Sequence, residues 1–128
     1  MTDDDLLAEA KKAMTGAYAP YSRFRVGAAL VTRDGQLFTG ANVENASYGL
    51  TLCAERVAVV KGVTAGAVGF DRIAVVSSSG EETFPCGACR QVLHEFGTKA
   101  VIVAADEGRP VTHLMTALLP HAFGPDSL

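Results

Sequence analysis

The chain has 128 residues, and its 11 Lys and Arg against 14 Asp and Glu leave a formal net charge of −3. One domain spanning 1–128 is expected, long enough to bury about two-thirds of its unfolded surface without disulfides. The negative balance, with no basic stripe, argues against a polynucleotide partner, and no apolar run reaches the ~18 residues of a membrane span. The acidic start Met1-Thr2-Asp3-Asp4-Asp5 carries no apolar h-region, so a cytoplasmic protein with a small neutral ligand is expected.

Leu6, Leu7, Ala10, Ala13 and Met14 recur at helical spacing and predict a helix over 2–14, with Thr2 as N-cap and Gly16 as its stop. Residues 17–24, with Pro20 and two tyrosines, read as an ordered loop. A strand apolar on both faces follows over 25–32. Asp34-Gly35 signals a hairpin turn into a second strand over 36–41. Residues 42–49 are polar and form a loop. A second helix is predicted over 53–62, with Val57, Ala58, Val60 and Lys61 on or beside its buried face. Residues 64–69 connect it to a buried strand over 72–77. After a loop over 78–84, a third helix runs over 86–96 and stops at Gly97. A buried strand over 99–105, a turn over 106–110, a short strand over 111–113 and a short helix over 114–119 complete the chain before an aperiodic tail. The order α-β-β-α-β-α-β-(β)-α implies an α/β fold, a single mixed β-sheet of about five strands covered by helices on both faces. The second and third helices would lie side by side with their N-termini at one place.

That place is where the chemistry gathers. The three cysteines all lie in two segments, Cys53-Ala54-Glu55-Arg56 and Pro85-Cys86-Gly87-Ala88-Cys89. Three thiolates around one point suit Zn²⁺, one ion per subunit. No fourth cysteine remains and no histidine is near either segment, so the fourth position falls to a water. Glu55, two residues after a ligand, can handle that water's proton. Helix N-termini lower thiol pKa values, which favours the thiolates. Arg56 is expected to hydrogen-bond the sulfurs and offset the surplus negative charge of three thiolates on one divalent ion. Taken alone, Cys-x-x-Cys also fits a redox pair or a structural zinc site, Glu55 a solvated helix-start acid, and Arg56 a surface arginine. Asn42 and Glu44, two apart in extended backbone, point the same way and suit sugar hydroxyls, although a polar loop is more often a solvated turn. Phe24 and Phe123 read first as core filler, and His94, His113 and His121 receive no role.

With both cysteine segments placed, the chain resembles the small homotetrameric cytidine deaminase family. Ala19-Pro20-Tyr21-Ser22-Arg23-Phe24-Arg25-Val26-Gly27-Ala28-Ala29 is similar to that family's opening strand motif. Asn42-Val43-Glu44-Asn45-Ala46-Ser47-Tyr48 resembles its nucleoside-binding loop, and Thr51-Leu52-Cys53-Ala54-Glu55-Arg56 and Pro85-Cys86-Gly87-Ala88-Cys89-Arg90-Gln91 resemble its two metal segments. Leu118-Leu119-Pro120-His121-Ala122-Phe123-Gly124-Pro125 resembles its C-terminal segment. The resemblance implies hydrolytic deamination of cytidine and 2′-deoxycytidine to the uridines in pyrimidine salvage. In it, zinc ionises the water that attacks C4, and Glu55 shuttles protons. It further implies Asn42 and Glu44 on the ribose 3′-hydroxyl, Phe24 against the pyrimidine, the Ala54 backbone on the base, Tyr48 near a subunit boundary, and Phe123 in a neighbour's pocket. The rich hydrophobic content, 48% before 13 glycines are counted, fits burial between subunits. The alternatives are a deaminase of another aminated nucleoside, such as a blasticidin-type antibiotic, a structural zinc module, and a thiol oxidoreductase.

Overall fold

The computed structural model describes residues 1–128. Helix α1 (Asp3–Met14) opens on a reciprocal cap: the Asp5 N–H donates to Thr2 Oγ1 (3.1 Å) and the Thr2 N–H to Asp5 Oδ2 (3.0 Å). Strands β1 (Val26–Thr32) and β2 (Leu37–Ala41) form an antiparallel hairpin. Helix α2 (Ala54–Thr64), strand β3 (Phe70–Ser77), helix α3 (Gly87–Glu95), strands β4 (Ala100–Ala104) and β5 (Pro110–Leu114) and helix α4 (Met115–Leu118) follow. The predicted element order is therefore observed. The strands join into one mixed five-stranded sheet in the order β2-β1-β3-β4-β5, in which only β3 and β4 run parallel.

Alternation along each strand divides the core in two. Ala29, Val31, Ala74 and Ile102 face α1 through its Leu6, Leu7 and Ala10. Ala28, Leu30, Ile73, Val75, Val101 and Val103 face Ala54, Ala58 and Val59 of α2, Leu93 of α3 and Met115 of α4. Strand β1 is read as apolar on both faces because both faces are covered.

Helix α2 corrects one expectation. Its buried residues are Ala54, Glu55, Ala58, Val59 and Gly62; of the predicted set, Ala58 is buried and Val57 lies half-buried beside that face, but Val60 and Lys61 are exposed. Val60 is 52% exposed, and Lys61 reaches over to the Thr39 carbonyl. The helix is apolar nearly all round, so periodicity offers several equivalent stripes. The true one includes an acid, Glu55, and the small residues Ala54, Ala58 and Gly62, which let the helix approach β2. Gly40 marks that approach: a Cβ there would sit 2.4 Å from the Ala54 carbonyl oxygen and 2.6 Å from the Ala58 nitrogen.

Candidate active site

Cys53 and Cys86 are the N-cap residues of α2 and α3, each in extended backbone and neither spending its side chain on the cap. Their thiols are thus left to turn toward one another, and Cys89 adds a third from the first turn of α3. The three Sγ atoms lie within 4.8 Å of one another, and no other Cys, His, Asp or Glu ligand atom joins them. Tetrahedral zinc with bonds of about 2.3 Å holds its sulfurs roughly 3.8 Å apart, so the donor set fits that ion with small adjustment. The thiol of Cys53 is lowered to about 5, first by its hydrogen bond with Cys89, against burial, and then by Arg56. Cys89 is pushed upward, first by the same bond with Cys53 and then by burial. A divalent cation would displace the proton these sulfurs otherwise hold.

Arg56 Nη2 donates to Cys53 Sγ (3.5 Å) and to the Thr51 carbonyl (3.2 Å), while its Nε is buried without a partner. The guanidinium therefore lies against the sulfur cluster, as its position after Glu55 predicts. Arg56→Ala is expected to weaken zinc retention against a chelator by about tenfold or more and to slow turnover with it. Unchanged retention and rate would remove Arg56 from the account.

Glu55 occupies the first turn of α2 and is only 5% exposed. Burial raises its carboxyl to about 7, and the neighbouring Cys53 charge adds to the rise. A carboxyl poised there can accept and return a proton near neutrality. It lines a cavity of about 220 Å³ together with Cys53, Cys86, Ala54, Phe24 and Asn42. Deep apolar walls with a few convergent polar groups are what a small planar ligand needs.

Further wall residues are Val26, Thr51, Leu52, Thr83 and Phe84, none of which carried a role in the sequence reading. Phe84 directly precedes Pro85-Cys86, so its adjacency to the ligands was the available signal. Its ring packs edge-on against His113 at 4.9 Å. Larger hollows elsewhere, such as the one beside α1 lined by Leu7, Lys11, Met14 and Val76, contain no cysteine and lie away from Glu55.

The remaining candidates separate. Asn42 lies in the cavity, but its Oδ1 accepts from the Val26 N–H and its Nδ2 donates to the Phe24 carbonyl, each at 2.8 Å. Glu44 lies in an adjoining hollow with Tyr21, Ser22, Tyr48 and Thr51, and Thr51 lines both. Tyr48 is 76% exposed and meets Tyr21 edge-on. Phe123 is 62% exposed and is not part of this chain's own cavity. Its backbone is tied to α3, where Gln91 Nε2 donates to the Phe123 carbonyl (2.7 Å) and Arg90 Nη1 to that of Leu118 (2.9 Å).

Comparison with known proteins agrees with this geometry. The family model for the cytidine and deoxycytidylate deaminase zinc-binding region matches residues 1–105. A cytidine deaminase of Sporosarcina psychrophila is 44% identical over 130 residues, covering 100% of this chain and 96% of that protein. One of Halalkalibacterium halodurans is 48% identical over 92% of this chain and 91% of its own. The crystal structure of cytidine deaminase from Burkholderia pseudomallei superposes with a TM-score of 0.89 at 49% identity, covering 96% of this chain and all of the other.

Proposed function

The chain belongs to the cytidine and deoxycytidylate deaminase family, and from that premise we propose how its own residues convert cytidine and 2′-deoxycytidine to the uridines and ammonia. Cys53, Cys86 and Cys89 would hold the zinc, which supplies the Lewis acidity that ionises water near neutral pH. Glu55 takes the proton of the attacking water and delivers it to N3 of the ring, which makes C4 electrophilic. Once oxygen has added at C4, the carbon carries both OH and NH₂. Glu55 then takes the proton of that OH and passes it to the amine, so that the C4–N bond breaks, ammonia leaves and C4 becomes the carbonyl of the uridine. Phe24 covers the pyrimidine face, with Phe84 in the same wall, and the Ala54 backbone meets the base edge. Asn42 and Glu44 receive the ribose 3′-hydroxyl through the N–H and lone pair that their internal bonds leave free. The carrying observation is the buried Glu55 carboxyl lining one cavity with Cys53 and Cys86, whose sulfurs converge with that of Cys89. A structural module would need a fourth ligand, and none joins the cluster.

We extend the proposal to the assembly and the cell. The chain is one domain acting as a homotetramer, with Tyr48 and Phe123 completing a neighbour's pocket. Tyr18, Tyr21, Tyr48, Leu50 and Phe123 each lie more than half exposed, and the assembly would bury such side chains between subunits. No helix is long and apolar enough to cross a membrane. Three unpaired thiols suit a reducing cytoplasm, where the reaction would serve pyrimidine salvage. Sedimentation and activity on serial dilution are expected to fall together, and a monomer with full activity would contradict the shared pocket. A substrate panel of cytidine, 2′-deoxycytidine and a blasticidin-type nucleoside is expected to show turnover of the first two. Turnover of the antibiotic alone would replace this reading with the alternative.

A further inference from the structure

The residues expected to meet the sugar and the residue expected to meet the base are joined by hydrogen bonds within the protein. The Glu44 carboxylate is filled on one side by the loop that carries Phe24. Its Oε1 accepts from the N–H groups of Tyr21 (2.9 Å) and Ser22 (3.2 Å), and its Oε2 accepts from the Ser22 hydroxyl. The Ser22 Oγ in turn accepts from the Phe24 N–H at 3.0 Å. The other end of Phe24 is held as well, since its carbonyl accepts from Asn42 Nδ2. One serine hydroxyl thus stands between a carboxylate and the peptide of the aromatic residue two positions on.

We propose that Ser22 is a positioning residue that couples recognition of the sugar at Glu44 to the placement of the Phe24 ring against the base. This rests on the reading of Glu44 as a sugar contact and Phe24 as a base contact. A serine hydroxyl has one proton to give and lone pairs to accept with, and here both functions are engaged. An ionised carboxylate offers about four acceptor positions, of which three are occupied, so the vacancy is on Oε2. That is the oxygen bonded to Ser22. A sugar hydroxyl donating to Oε2 therefore shares an acceptor with the Ser22 hydroxyl, and a change in that bond is felt at the Phe24 N–H, because linked hydrogen bonds polarise one another. The Ser22 hydroxyl also holds the Glu44 carboxyl below its ordinary range, more than its other contacts do, which keeps Glu44 an acceptor at the pH of the reaction.

The test compares kcat/KM for cytidine with that for 3′-deoxycytidine, which lacks the hydroxyl Glu44 would accept. The variants are Ser22→Ala, Ser22→Thr, Ser22→Val and Glu44→Ala. Thr and Val differ in the hydroxyl alone, so the pair remains informative if the smaller alanine disturbs the loop. Zinc content and circular dichroism are recorded on each. The parent is expected to favour cytidine, with Ser22→Ala and Ser22→Val losing about tenfold of that preference, chiefly through a raised KM, and Ser22→Thr retaining it. A full preference in Ser22→Val, with the preference lost in Glu44→Ala, would overturn the coupling and leave the sugar contact standing. A full preference in Glu44→Ala would overturn both, since no sugar signal would then reach the carboxylate.

Discussion

Glu55→Gln is expected to lower kcat on cytidine by about four orders of magnitude, with zinc content and fold retained, because one group serves both proton transfers and each is worth about a hundredfold or more. The amide is nearly the same size and shape as the carboxyl, so the cavity that Glu55 lines with Phe24, Leu52 and Phe84 keeps its shape. What is lost is the ability to move a proton from water to N3 and then a second proton from the C4 hydroxyl to the amine. Bulk water cannot substitute, since the side chain is only 5% exposed. Rate, zinc by elemental analysis and circular dichroism on the same preparation separate chemistry from folding. A variant within about tenfold of the parent would remove Glu55 from both proton steps.

Gly40→Ala is expected to destabilise the protein by about 3 kcal/mol, at the upper end of overpacking costs, and to lower Tm by about 10 °C. The new methyl would press on the Ala54 carbonyl oxygen at 2.4 Å, the Ala58 nitrogen at 2.6 Å and Val57 Cβ at 3.0 Å. Two of these are backbone atoms of α2, which cannot turn aside as a flexible side chain would. Strand β2 and the first turn of α2 must separate, and that turn carries Glu55 just after Cys53. The displacement is therefore expected to reduce turnover as well as stability, even at temperatures where the variant remains folded. A Tm within about 2 °C of the parent with unchanged kcat would show that the helix has slack there, and the account of its placement would be wrong.

These two positions also show which parts of the fold the amino-acid sequence carries on its face. The hairpin was legible because Asp34-Gly35 sits between two apolar runs and Gly35 takes the left-handed conformation such a turn requires (φ 90°). The end of α3 was legible for the same reason at Gly97. The metal segments were legible because three cysteines and nothing else met the ligand requirement, and two of them open helices. The buried stripe of α2 was not, because valine recurs around the helix and its buried residues include a glutamate. Which residues fill the cavity wall was also hidden. Phe84 and Thr83 belong to the aperiodic loop between β3 and α3, where no hydrophobic period marks which side chains turn inward. The division between Asn42 and Glu44 is a further case. Their spacing predicts a shared direction, yet Glu44 is claimed by Tyr21 and Ser22, more than twenty residues earlier, and no local pattern encodes a bond across that distance. Phe123 has no role within its own subunit's cavity, so its expected contribution depends on an assembly that one chain does not display.

The most direct test is to measure uridine and ammonia formed from cytidine by the purified protein, before zinc removal, after it, and after stoichiometric zinc is returned. The account predicts equimolar uridine and ammonia, loss of both products on removal, and recovery when one zinc per subunit is restored. Protein that holds one zinc on Cys53, Cys86 and Cys89 and forms neither product would contradict it.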